Sequence, residues 1–225
     1  MNSDLPDVPL EQREILRYLG YKRQHELTPE LVELVAEVMG EVQKVSQVRS
    51  HYQFFDLAET RTGIQVVGSD LVLSGTAISR HLQGATSVAL FALTLGSGVE
   101  QVIRRYEITD LTHALVLEAA CTEYVEKLCD LTEARIAKEA QEKGLTANRR
   151  FSPGYGDLPL AIQPTFLATL QAERTVGITV TEDFLMIPRK SVTAIVGLFP
   201  AGTTAKPTRK EPDWCQAYLS KEESK

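Results

Sequence analysis

RFSPGYGDLPLAIQP, residues 150–164, places three prolines, two glycines, an arginine and a tyrosine in fifteen positions of a chain otherwise rich in helix-forming and charged residues. Pro153 and Pro159 fix φ, while Gly154 and Gly156 lack Cβ, so the segment reads as a constrained loop. Such a loop exposes backbone N–H and C=O groups in extended form. Within it, Arg150 can grip a carboxylate through two N–H groups, and Tyr155 offers a flat face with a hydroxyl. On composition alone, an ordinary connecting loop is the simpler account.

The flanking segments set the fold class. Downstream, a helix is expected over roughly Leu160–Glu173, followed by VGITVTEDFLMIPRKSVTAIVGLF (176–199) as two or three strands. Upstream lies the longest helical stretch, LTHALVLEAACTEYVEKLCDLTEARIAKEAQEKG (111–144). Asp110 caps it, Ala114, Leu117, Cys121, Tyr124, Leu128 and Leu131 recur at spacings of three and four, and Gly144 is its stop signal. Before it, SVALFALTLGSGVEQVIRRYEI (87–108) reads as a buried strand, a turn at Gly96 and Gly98, and a helix over Val99–Tyr106. That order can make an anion site at a helix N-terminus, but two glycines alone are weak evidence and a plain tight turn is the simpler account.

The N-terminal third follows the same logic. EQREILRYLGYKRQ (11–24) is an amphipathic helix ended by Gly20, and Thr28-Pro29-Glu30 starts a second helix running toward Val48. HYQFFDLAET, TGIQVVG and DLVLSG, between residues 51 and 75, are short strands, and Ser74–Leu82 returns to helix. The expectation is an α+β fold: a single domain over 1–225, with a mixed, largely antiparallel sheet flanked by helices. It has a helical N-terminal part (1–50) and a peripheral tail (201–225).

Composition narrows the function. Of 225 residues, 43% are hydrophobic and 24% charged, with a formal net charge of −6, which is the balance of a soluble globular protein. Scattered Lys and Arg, with Arg209–Lys210 the longest run, argue against a nucleic-acid partner. The start, MNSDLPDVPLEQRE, has no signal-peptide character and no apolar stretch reaches the roughly 20 residues that span a bilayer, so a cytoplasmic, membrane-free protein is expected. Cys121 and Cys129 would lie about 12 Å apart along a helix, too far for a disulfide, and with Cys215 they read as reduced core thiols. His25, His51, His81 and His113 lack metal-ligand spacing, and the sequence holds no GxGxxG after a strand, no Walker A, no GxSxG and no HExxH.

The order of residues from Arg150 onward resembles the activation domain of cobalamin-dependent methionine synthase. That family carries R-x-x-P-G-Y-P-x-x-P, then a helix ending E-K/R-x-x-G-I/M-x-L-T-E-S/D-x-x-M-x-P-x-x-S-V. Here Arg150, Pro153, Gly154 and Tyr155 are followed by Glu173-Arg174, Gly177-Ile178, Thr181-Glu182, Met186, Pro188, Ser191 and Val192 in matching order. EILRYLGY (14–21) and TLG (94–96) are similar to short, free-standing members.

The resemblance implies an S-adenosylmethionine-binding reactivation subunit. It would support reductive methylation of cob(II)alamin carried by a separate protein, a cobalamin-dependent methionine synthase core or another corrinoid protein, with flavodoxin as an electron donor. It implies that Arg150 holds the ligand carboxylate, that backbone at Ser152 and Gly154 bonds the ligand, and that Tyr155 faces the corrin. A glutamate on the long helix also contributes to the site, with Glu126 as the best match and Glu118 and Glu123 behind it. The chain departs from the pattern in three places. Gly156 stands where the family has proline, AGTTAK (201–206) stands where full-length enzymes have two tyrosines, and the Asp-x-His-x-x-Gly cobalamin signature is absent. The alternatives are a module that docks on or shields a corrinoid protein without methyl transfer, and an activator of another corrinoid methyltransferase.

Overall fold

The structure is a computed structural model that describes residues 8–22, 26–203 and 212–222. His25, the Arg209–Lys210 pair and residues 204–206 of AGTTAK lie outside the described residues.

Local signals place most elements. Helix α1 (Gln12–Tyr18) is shorter than the amphipathic pattern predicts, because Gly20 takes φ +86° and turns the chain out of the helix. In α2 (Pro29–Val45), the Thr28 hydroxyl accepts from the Leu31 N–H at 3.3 Å. That helix stops before Val48, since Ser46 is extended and the Gln47 N–H donates to the Leu95 carbonyl instead. Strands β1 (Arg49–Glu59), β2 (Ile64–Val66) and β3 (Val72–Leu73) form a meander, and α3 (Thr76–His81) follows.

Strand β4 (Ser87–Thr94) is buried at every position and so must lie inside a sheet covered on both faces. Next come α4 (Gly98–Thr109) and α5 (Leu111–Glu142), the latter capped by the Asp110 carboxylate accepting from the His113 N–H at 3.0 Å. Gly144, at φ +72°, ends α5 and leads into β5 (Leu145–Ala147). A single 3₁₀ turn at Leu160–Ile162 opens α6 (Gln163–Thr169). The expected helix to Glu173 is broken: Gln171 adopts φ +49°, which no right-handed helix accommodates, and α7 (Ala172–Thr175) starts afresh. The chain closes with β6 (Thr179–Val180), β7 (Met186–Ile187), β8 (Ser191–Pro200) and α8 (Asp213–Glu222).

Six strands make one open sheet in the order β3-β2-β1-β4-β8-β5, antiparallel at every pairing, while β6 and β7 form a separate hairpin. Alternation sends Ala89, Phe91 and Leu93 of β4 and Ala194, Val196 and Leu198 of β8 to one face, where α1, α2, α4 and α5 cover them. Val88, Leu90, Ala92 and Ile195 go to the other face, under α3, α6 and α7. Helix α8 adds Cys215, fully buried, and leans Trp214, Tyr218 and Leu219 on the first face. All three cysteines are buried and none forms a disulfide, and burial pushes the Cys121 thiol up to about 12. Gly96 and Gly98 serve packing: an added Cβ would lie 2.9 Å from the Gln47 Cβ and 2.5 Å from the Val45 carbonyl oxygen, respectively. No described helix is long and apolar enough to cross a membrane.

Candidate functional site

The sheet is incomplete along β8. Strand β5 pairs only with Leu198–Pro200, and after it the chain holds β8 at two further points. The Asn148 N–H donates to the Gly197 carbonyl and the Gly197 N–H to the Asn148 side chain at 2.7 Å; Phe151 and Ile195 exchange N–H···O bonds at 2.8 and 2.9 Å. From Ser152 onward the chain turns away. The edge of β8 below Ile195 is left open beside a cavity of about 660 Å³, between α5 on one face of the sheet and α6 on the other.

The loop that turns away is held from outside. Asp157 reaches back to the first turn of α3, accepting from the Thr76 N–H and hydroxyl, each at 2.6 Å, and from the Ala77 N–H at 2.9 Å. Led by the Thr76 hydroxyl, these bonds hold its carboxyl at about 2, below the usual carboxylate range. Gly156 sits between loop and helix at φ +57°, where an added Cβ would come within 2.8 Å of the Ala77 Cβ. Proline cannot adopt that φ, so the glycine is required here and the loop draws its rigidity from Asp157 instead.

Of the residues singled out in the sequence, Glu126, Arg150, Ser152 and Tyr155 line this one cavity. Tyr155 is 68% exposed, at the rim. Gly154 is not among the lining residues; its N–H is bonded within the loop to the Leu158 carbonyl at 2.9 Å. The two other glutamates point elsewhere. Glu118 pairs with Lys190 at 2.7 Å, and Glu123 is buried 3.7 Å from Lys127.

Sequence reasoning missed two carboxylates that complete the wall. Glu126, Asp130 and Glu133 are spaced i, i+4 and i+7, so they share one stripe of α5. All three converge on Arg150: Nη2 donates to Glu126 at 2.7 Å, and Nη1 to Asp130 at 2.7 Å and to Glu133. The Arg150 N–H donates to the second oxygen of Glu133 at 2.8 Å, which fixes the start of the loop as well as its side chain. Three guanidinium N–H groups are thereby used, leaving Nε–H and one on Nη2 without a partner among the described residues.

The cavity therefore has two unlike ends. At the α5 end, three carboxylates face Arg149 and Arg150, one net negative charge. At the α6 end, Gln163 and Thr193 lie among Phe151, Leu160 and Met186. Such a space can hold an elongated ligand with a charged head and a neutral body, and can fix its orientation.

The sequence profile of the family described as vitamin B12 dependent methionine synthase, activation domain, matches residues 71–222, well over half of the chain. No curated protein matches. Thirteen solved chains do. One of them, the crystal structure of the MetH reactivation domain bound to AdoHcy, is 14% identical with a TM-score of 0.62, over 85% of this chain and 76% of that one. At that identity the likeness speaks for the fold.

Proposed function

Because the chain belongs to the activation-domain family of vitamin B12 dependent methionine synthase, we propose that it binds S-adenosylmethionine in the cavity beside Arg150 and presents it to cob(II)alamin on a partner protein. The partner is a separate cobalamin-dependent methionine synthase core or another corrinoid methyltransferase in the cytoplasm. The observation that carries this reading is convergence: Glu126 from α5 and Arg150, Ser152 and Tyr155 from the loop meet at one cavity.

The residues suit the ligand. Its ammonium and sulfonium are cationic, and Glu126, Asp130 and Glu133 supply an excess of negative charge in a partly enclosed space. Its carboxylate can take the two N–H groups of Arg150 that α5 leaves unused. Ser152 borders the ligand, Gly154 shapes the turn that carries it, and exposed Tyr155 meets the incoming corrin. S-adenosylmethionine supplies an electrophilic methyl group when bound, and the electron that reductive methylation also needs comes from an external one-electron donor such as flavodoxin. The chain's own contribution is orientation at a surface a large partner can reach. The AdoHcy held by the MetH reactivation domain supports the choice of ligand class.

Titration calorimetry tests the ligand: S-adenosylmethionine binds the purified chain, alone or with the corrinoid partner, and no heat in either case overturns the reading. Radiolabelled methyl then tests the function. Label reaches the partner's cobalt only when this chain and a reductant are present; label transfer that is indifferent to the chain leaves docking alone.

A further inference from the structure

We infer that Gln163 is a specificity-determining residue of the cavity, donating from its amide nitrogen to a ring nitrogen of the ligand's purine. The inference rests on the S-adenosylmethionine reading and adds to it which end of the cavity reads the base.

Gln163 is 2% exposed, yet it lines the cavity. Its Oε1 accepts from the Thr193 hydroxyl at 2.9 Å, which fixes the amide and leaves Nε2 as the group presented to the cavity. Among the described residues Nε2 has no hydrogen-bond partner. Nε2 is not sealed from solvent, so water meets it in the cavity and an acceptor on a bound ligand can take that water's place. With Thr193, Gln163 supplies neutral polar groups at the α6 end of the cavity.

The strand beside it supplies a second, independent row of polar groups. In an antiparallel strand, every second residue points both N–H and C=O to the same edge. Gly197 and Ile195 spend theirs on Asn148 and Phe151, so Thr193, next in that series, turns its own toward the open edge beside the cavity. A donor amide beside an adjacent N–H and C=O fits a planar heterocycle carrying both ring acceptors and an amino group. Phe151, Leu160 and Met186 provide apolar surface at the same end for its faces. With the zwitterionic head of S-adenosylmethionine against α5, the purine falls at Gln163.

Calorimetry with base-modified ligands tests this on the unaltered chain. Of the 1-deaza, 3-deaza and 7-deaza analogues of S-adenosylmethionine, each lacking one ring acceptor, at least one binds about tenfold more weakly than the parent. Gln163→Met, which keeps the volume and removes the donor, binds the parent about tenfold more weakly and no longer distinguishes that analogue. Equal binding of all three analogues by the unaltered chain overturns the inference. So does an analogue preference that survives in Gln163→Met, which would make the residue merely structural. In both cases the parent ligand still binds and the function proposed above stands; no binding of the parent overturns both.

Discussion

Helix α5 carries a cluster of carboxylates and a cation on each of two flanks, and the two are built on opposite lines. On the flank under α8, Glu123 meets a local lysine one turn on, Lys127, which also holds Glu11 and lies 5.2 Å from the Trp214 ring centre. The Oε1 of Glu123 is buried without a hydrogen bond, and burial pushes its carboxyl up to about 7. On the cavity flank the cation comes from 17 to 24 residues away, as Arg150 spans Glu126, Asp130 and Glu133. In the first cluster Glu123 and Lys127 are buried, and Glu123 keeps one oxygen without a hydrogen bond. In the second each carboxylate is bonded to Arg150, which keeps two N–H groups for a ligand. What separates them is the origin of the counter-charge: a neighbour on the same helix lets the pair sink into the core, whereas a residue from another segment pulls that segment alongside and frames a space.

The largest test of that contrast removes the distant cation. Arg150→Ala leaves three carboxylates facing one another, with the arginine side chain only 21% exposed, and should destabilise the fold by about 3 kcal/mol in urea titrations. Arg150→Lys should recover only part of this, because one ammonium cannot span three carboxylates.

Removing the charge on the other flank should act in the opposite sense. For a carboxyl raised to about 7, the cost to the fold appears as pH rises above the unfolded value of about 4.3 and is complete above 7. Glu123→Gln should therefore stabilise the protein at pH 8 by about 1–2 kcal/mol, with the gain vanishing below about pH 4. Denaturation curves at pH 8, 6 and 4 read this directly, and a loss of stability at pH 8 would erase the distinction between the flanks.

Glu126→Gln should sharpen it. That side chain is 44% exposed, so stability should change by no more than about 0.5 kcal/mol. Calorimetry should nonetheless show S-adenosylmethionine binding about tenfold more weakly, as one charge-assisted contact is lost. The smallest effect is an acid one. Stabilisation from Asp157 is present above the unfolded carboxyl value of about 3.9 and is lost as pH falls toward 2, by which point Glu123 is neutral and at ease. Pepsin should thus cut the loop of residues 150–158 with rising ease between about pH 4 and 2, while α5 stays intact.

Features governed by neighbours in sequence were legible: the Thr28 and Asp110 caps, the Gly144 stop, and the alternation of helix and strand that builds the sheet. The break at Gln171 was not, since nothing about glutamine announces a left-handed residue. The cavity wall was legible only in part. Eighteen of the 32 residues of α5 are buried, so no single apolar stripe tells which of Glu118, Glu123 and Glu126 faces the ligand. Asp130 and Glu133 carried a readable spacing, but their common target lay in another segment. Gly156, which stands where the family has proline, is a contact point, and that becomes visible only when Ala77 is beside it.

The Asp157 contact also gives the loop a distant clock. The amide hydrogens of Thr76 and Ala77 are pledged to a residue about 80 positions later, so they exchange with solvent only when the loop lets go. Deuterium uptake at the start of α3 therefore counts loop openings, and a ligand that settles against Arg150 and Tyr155 slows that count without touching α3.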